Sequence, residues 1–514
     1  MKRKLIILIL FIVIAAAVSL FPVFMRNMVT IELYSSLSRP VKISPDYTGI
    51  IIPANIAPLN FVIREPGTGY LVKIHTSSSE VIEVFSKTGK MIIPVKGWRK
   101  LLSANAGEKL FFDVFVRDIK GLWSRYETIV NTIAKEPIDS HIAYRLIKPI
   151  YNIWDDIGVY QRNLETYEQS VVLSGQSISN GCVNCHSFHN NDPESMFIGI
   201  RSTEYESSAI FVQNRKAHKI GTKFGYTTWH PSGKVAAYSI NKVRQFFHNA
   251  GSEVRDVTDL DSAICYYDIE SKTAKTTEAL KLKDRLETYP VWSADGKYLY
   301  YCSAPNPGAD ERDLPPKNFD KVKYDLMRIS YDIKSDKWGE AETVLSAEKT
   351  GLSILLPRVS PDGRFLLFTM CDYGCFPIYQ PSSDLYLMDL RTGEYHRLEI
   401  NSEYSDSWHS FSSNGRWIAF SSKRLDGLYT RTFFSHMDEN GKVHKPFVMP
   451  QKDPEFYDSF LKTYSVPELI TGPIKVKHRT LARAARSSEK IEVQLPITAA
   501  SPDAEGLDPW QERE

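Results

Sequence analysis

The sequence predicts a mainly β chain: an N-terminal membrane anchor, a β-sandwich-like domain, and then a β-propeller that carries a c-type haem motif. Three observations predict it. A strand–turn–strand unit closed by glycine recurs four times between residues 228 and 420. One Cys-x-x-Cys-His stands at Cys182–Val183–Asn184–Cys185–His186. A basic N-terminus, Lys2-Arg3-Lys4, runs straight into apolar residues from Leu5 to Phe24. At 514 residues the chain has room for roughly two to four domains. Its 12% aromatic content and scattered Gly and Pro suit many short strands and turns. A net charge of +2 without a long basic run excludes nucleic acid as a main partner.

Taken in order, residues 1–28 read as an anchor or a signal peptide. About twenty apolar residues span a bilayer, and the basic flank keeps the N-terminus on the cytoplasmic side. Ala15-Ala16-Ala17 offers small residues for cleavage, but more apolar chain follows, which favours an uncleaved anchor. Either reading exports the body to the periplasmic side. Residues 29–135 alternate short β-prone runs, such as Tyr70–Ile74 and Leu110–Val116, with turns such as Lys87-Thr88-Gly89. That is the pattern of a β-sandwich. His75 reads there as a strand residue. Residues 136–180 are aromatic- and arginine-rich and weakly periodic, and read as a linker with short helices.

The repeat fills residues 181–470. Thr228-Trp229-His230-Pro231-Ser232-Gly233, Val291-Trp292-Ser293-Ala294-Asp295-Gly296, Arg358-Val359-Ser360-Pro361-Asp362-Gly363 and Ser410-Phe411-Ser412-Ser413-Asn414-Gly415 each lead into an apolar strand. The glycine supplies the positive φ of the tight turn. Second hairpins, as at Asp384–Leu398, bring each unit to about four strands and roughly 50–70 residues, the period of a propeller blade. A degenerate unit lies around Met196–Val212, and Pro305–Lys321 is a Pro- and charge-rich insertion. Residues 471–514, basic and then acidic, read as a disordered tail.

In the motif, two thiols at this spacing can each add to a vinyl group of one porphyrin, leaving His186 to ligate iron. A zinc site would need a second ligand pair, and none is spaced for it. A redox pair would need a strand–helix context that is missing. A structural disulfide stays open. If haem c is bound, the second axial ligand decides between an electron carrier and an open iron. His189, His230, His409, His436 and Met449 are the candidates, with His409 preferred because blade hairpins bring distant residues together. Arg145 and Arg162 could pair with haem propionates. Cys371 and Cys375 could close a small disulfide; Cys265 and Cys302 could form another or stay buried thiols. No Gly-x-Ser-x-Gly and no phosphate-binding glycine loop is present.

The Trp-Ser-Ala-Asp-Gly-Lys and Val-Ser-Pro-Asp-Gly-Arg units resemble the TolB-type propeller repeat over residues 220–450. With Asn180–Phe188 and the β domain before it, the chain resembles a group of exported bacterial cytochrome-like proteins. That group is distantly similar to the haem-bearing propeller of the hydrazine synthase α subunit. Ser44–Gly49, Ser405–Ser410 and Lys445–Gln451 look like this group too. The resemblance implies six blades. In the hydrazine synthase relative a tyrosine one helical turn beyond the motif histidine ligates iron; here that position is Asn190.

Three functions follow. The first is an exported mono-haem cytochrome that exchanges electrons with a partner protein. The second is a haem enzyme acting on a small nitrogen or oxygen compound, and the third is a TolB-like scaffold without haem. Whether the chain is an enzyme stays open, since fold does not fix function.

Overall fold

The computed structural model describes residues 31, 33–148, 156–248, 255–308, 312–313 and 315–493. The expected anchor, residues 1–28, lies outside them. Among the described residues no helix is long and apolar enough to cross a membrane. The chain is mainly β and divides into two units.

The first unit runs to Lys135 and also takes in Pro450–Ser459. Its strands are β1 (Tyr34–Ser36), β2 (Ile43–Ser44), β3 (Ile51–Ile52), β4 (Phe61–Ile63), β5 (Gly69–His75), β6 (Ile82–Ser86), β7 (Lys90–Met91), β8 (Lys109–Arg117), β9 (Trp123–Arg125) and β10 (Ile129–Ile133). A seven-stranded sheet is built on β8, which pairs β5 on one edge and β9 and β10 in succession on the other. The three strands β2, β4 and β7 form a second sheet. Alternation along β8 turns Leu110, Phe112 and Val114 into the core. There Phe112 meets Phe61 of the small sheet at 6.2 Å and Trp98 of the helix Val95–Ala104 at 6.3 Å. The two sheets share this core. The segment 450–459 was not legible in it; Lys90 and Arg64 hold it through Glu455 at 2.6 and 3.1 Å. Glu65 is buried but pinned by the Arg39 fork at 2.7 and 2.8 Å, which holds its carboxyl down at about 2. His75 is a strand residue, as expected, stacked on Phe111.

Among the described residues the second unit contains six four-stranded antiparallel sheets, the blades of a propeller. Blade one is β14 (Cys182–His189), β15 (Asp192–Arg201), β16 (Ser208–Gln213) and β17 (Lys216–Ile220). Blade two is β18 (Thr227–Trp229), β19 (Val235–Phe247), β20 (Arg255–Asp268) and β21 (Thr273–Lys275). Blade three is β22 (Arg285–Trp292), β23 (Tyr298–Pro305), β24 (Asp325–Asp332) and β25 (Lys337–Leu345). Blade four is β26 (Ser353–Val359), β27 (Phe365–Cys371), β28 (Asp384–Asp389) and β29 (Tyr395–Arg397). Blade five is β30 (Asp406–Phe411), β31 (Trp417–Ser422), β32 (Arg431–His436) and β33 (Phe447–Val448). Blade six takes β11 (His141–Ile147), β12 (Gly158–Asn163) and β13 (Gln169–Ser174) from before the motif and β34 (Thr463–Ile470) from the far end of the chain. The first strands of the blades touch in a closed circle, β14–β18–β22–β26–β30–β34 and back to β14.

Two expectations are corrected here. Residues 136–180 are no helical linker, because His141–Ser174 supplies three strands of blade six. Residues 471–493 are no disordered tail. The helix His478–Arg486 buries Leu481, Ala482 and Ala485 against Val172, Ile178, Ile200 and Ile210, and Ile491 bridges Ile220. Its apolar face is too small and too alanine-rich to stand out between arginines.

The repeated turn has one job in every blade that shows it: it joins the innermost strand to the second. Ser293, Ser360 and Ser412 accept a hydrogen bond at Oγ from the backbone N–H five residues on, at 2.9–3.0 Å. His230 takes the same place in blade two. Its Nδ1 accepts from the Ser232 N–H at 3.1 Å and its Nε2 donates to Gly296 O at 3.1 Å. Gly296 sits at φ +73°, and a Cβ there would lie 2.4 Å from His230 Nε2. Gly393 has φ +76° and open space around it. Gly393→Ala should cost about 1–2 kcal/mol, the left-handed penalty alone. Gly296→Ala should cost clearly more, and paired denaturant titrations would show equal losses if the His230 contact is unimportant.

Glu287 in β22 is fully buried, with Leu282 N–H donating to Oε2 at 3.3 Å and Oε1 unpartnered. Burial pushes its carboxyl up to about 8. Between an unfolded value near 4.5 and 8 the folded chain keeps a proton that the unfolded chain has lost. Stability therefore falls as pH rises through that window. Asp259 and Glu468, each pushed to about 7 by burial, slope the same way. Glu287→Gln should flatten the slope and raise stability at pH 8 by a few kcal/mol. Melting curves at pH 5.5 and 8 that match wild type would refute the assignment.

Candidate functional site

The motif forms the innermost strand of blade one. Its register slips between Val183, opposite Ile200, and His186, opposite Ile198, so Asn184 and Cys185 bulge against Gly199. A Cβ on Gly199 would lie 2.9 Å from Phe224 O and 3.7 Å from Cys185 O, so this glycine lets strand and bulge close. The bulge recurs on the inner strands β22, β26, β30 and β34. There Tyr289, Leu356, Trp408 and Val466 sit at φ +54°, +55°, +41° and +50°. Left-handed backbone at non-glycine residues costs of order 1–3 kcal/mol each and persists only where the surroundings enforce it. The rings of Tyr226, Tyr289 and Trp408 meet across the circle, with centroids 4.2, 5.8 and 6.1 Å apart, and plug its centre.

Cys182 is buried beside Ile147 and Ile157. Burial raises the Cys185 thiol above its ordinary value, against the pull of Arg145, Arg201 and Lys223. All six cysteines are free thiols, so the expected pairings are not formed: Cys371 Sγ points to Tyr373 O and Cys375 Sγ to Val257 O. His186 is 5% exposed, and neither ring nitrogen makes a well-aligned hydrogen bond, though the backbone of Val466 and Asn184 lies close enough to favour its protonated form slightly. Burial, with Arg145 second, drives its pKa to about 3, so the ring is neutral, the form that ligates metal.

His409 lines the same cavity as His186, together with Trp229, Arg358 and Glu468. Its Nε2 is 3.1 Å from Leu367 O, and Nδ1 makes no well-aligned hydrogen bond, with the Leu356 backbone nearby. Burial drives it to about 3 as well. The other ligand candidates are engaged or lie on outer strands. His189 Nε2 is 3.0 Å from Pro231 O, and both His230 nitrogens serve the turn. His436 stands on the third strand of blade five, edge-on to Trp417, and Met449 just beyond the outermost. Arg145 reaches the motif, donating to Asn184 Oδ1 and, at 3.2 Å, to Ser465 Oγ. Arg162 instead lies over Tyr167 in the β12–β13 turn. Asn190 occupies the β14–β15 turn at φ +48°, so no helix follows the motif. Arg201 and Arg358 were not legible because a lone charge in a strand carries no periodic signal, and Lys223 because it lies in the connection between β17 and β18.

The donor set suits a covalent haem: two thiols three residues apart and a buried imidazole with idle nitrogens. Space is the constraint. The cavity beside His186 holds 160 Å³, below the roughly 300–1,000 Å³ of ordinary cofactor pockets, and aromatic rings fill the centre. Among the described residues no group of three or more His, Cys, Asp or Glu could hold a bare metal ion.

No family model matches the chain, and no curated protein does. Solved structures similar to it include TolB from Acinetobacter baumannii, 15% identical over 73% of this chain and 85% of that one, with TM-score 0.41. An oligogalacturonate lyase from Vibrio parahaemolyticus is 11% identical over 74% of this chain and 100% of that one, with TM-score 0.31. Such likenesses are too loose to add to what the sheets show: a mainly β chain with a propeller.

Proposed function

We propose that this chain is an exported propeller whose Cys182–Val183–Asn184–Cys185–His186 strand carries one covalent haem c for electron transfer to a partner protein. The propeller is its non-enzymatic scaffold. The carrying observation is His186, a neutral imidazole buried in the ring of inner strands with no well-aligned hydrogen bond and with two unbridged thiols beside it. A buried polar group without a partner costs about 1–3 kcal/mol and asks for a ligand. His409, with Nδ1 free in the same cavity, is the second-ligand candidate. Export rests on the basic flank and apolar run of residues 2–24.

The small cavity and the aromatic plug favour a second reading, a TolB-like scaffold that never carries haem. The full chain, expressed in a host that matures c-type cytochromes, separates the two. Haem that survives denaturation, with a low-spin spectrum indifferent to CO, supports the first. A spectrum shifted by CO would move the function towards small-molecule chemistry at an open iron. No covalent haem, with Cys182 and Cys185 still reactive to thiol reagents after unfolding, leaves the scaffold.

A further inference from the structure

Three cations converge on the two motif cysteines, and none is in ion-pair contact with a carboxylate among the described residues. Arg201 stands directly opposite Cys182 in the β14–β15 ladder, and no side-chain hydrogen bond or ion pair ties it to another of the described residues. Arg145 reaches over the bulge to Asn184, with its buried Nε unpartnered. Lys223 precedes Phe224, whose carbonyl packs on Gly199 on the same side as Cys185. Among the described residues its Nζ donates to Asn241 O at 3.1 Å, and burial, then the nearby Arg201 charge, brings its pKa down to about 7. Asp259, the acid that Lys223 senses, is spent on Asn241 at 3.1 Å and on Tyr324 at 3.1 Å.

Like charges gathered in a partly buried place repel one another and lose hydration. A fold keeps such a group where an anion completes it. We infer that Arg145, Arg201 and Lys223 form a cradle for a dianion beside Cys182 and Cys185. Two carboxylates are the chemistry that fits, because two guanidinium forks and an ammonium match two carboxylate groups. A haem attached at these cysteines brings two propionates, and a free dicarboxylate or phosphate has the same charge. The cradle itself rests on the three side chains; its assignment to propionates rests on the haem reading.

Two preparations of the full chain separate these readings: one from a host without c-type maturation, and one loaded with haem. Each is titrated calorimetrically with inorganic phosphate and with succinate. The haem-free chain should bind at least one of them, and Arg201→Gln should weaken that binding at least tenfold with an unchanged melting midpoint. Lys223→Gln is the second variant, should Arg201→Gln not fold. Loss of binding on haem loading assigns the cradle to the propionates; persistence assigns it to a free dianion. If no haem attaches yet phosphate binds and Arg201→Gln abolishes it, the haem reading fails and the cradle stands. If haem attaches but the haem-free chain binds neither anion, the cradle is overturned and the haem reading stands. Binding that both variants leave unchanged also overturns it.

Discussion

A chain that stops at Lys462 should lose the propeller and keep the N-terminal unit. The cut removes β34, the innermost strand of blade six, which pairs with β11 from His141–Ile470 to Ile147–Thr463. Tyr464, Leu469 and Ile470, all fully buried, go with it. At about 1.5–3 kcal/mol for each apolar side chain, that approaches 5–9 kcal/mol before any ladder bond is counted. Whole domains are stable by about 5–15 kcal/mol. The circle of inner strands also opens between β30 and β14, which exposes an unpaired edge of β11. Pro450–Ser459 and its contacts to Lys90 and Arg64 remain, so the first unit stays whole. Circular dichroism with limited proteolysis should show a resistant fragment ending near residue 135, with the segment 450–459 retained on it, and rapid loss of residues 136–449. A truncated chain with a wild-type melting curve would mean that β34 does not close the ring.

That strand marks the limit of what could be read from the chain. Four blades were legible because one turn, Ser-x-Asp/Asn-Gly or its His230 variant, joins the first and second strands of each. In blade six those two strands are β34 and β11, more than 300 residues apart, so no turn exists to repeat. Residues 136–180 then offer only three short strands rich in Tyr and Arg, with no punctuation to identify them. Blade one was half hidden for a related reason. Its first turn is Asn190-Asn191, both at positive φ, a tight turn of different spelling. The motif cysteines and His186 could be picked out from spacing alone. Their setting could not, because bulges at Cys185, Tyr289, Leu356, Trp408 and Val466 depend on neighbours across the ring. The plug and the cations at Arg201 and Lys223 belong to that setting.

Replacing both Cys182 and Cys185 by Ala should abolish covalent haem altogether, an all-or-none effect that the single variants should not show. Each single variant leaves one thioether, so haem should stay bound in the denatured protein at reduced yield. His186→Ala acts at a different point. It leaves both thiols and removes the ligating nitrogen, so covalent haem should persist with a high-spin spectrum that CO shifts. His409→Ala gives the same change in spin state if Nδ1 supplies the second bond, and no change if another group does. The fold should tolerate the cysteine changes. Cys182 is a small apolar contact of Ile147 and Ile157, and losing one sulfur from such a site costs about 1–2 kcal/mol. His186 makes no hydrogen bond that alanine would break. Melting curves of the haem-free variants near wild type would confirm that any loss of haem is chemical rather than structural. A double variant that still carries haem after denaturation would place the attachment elsewhere. The idle imidazole in the ring would then need another ligand.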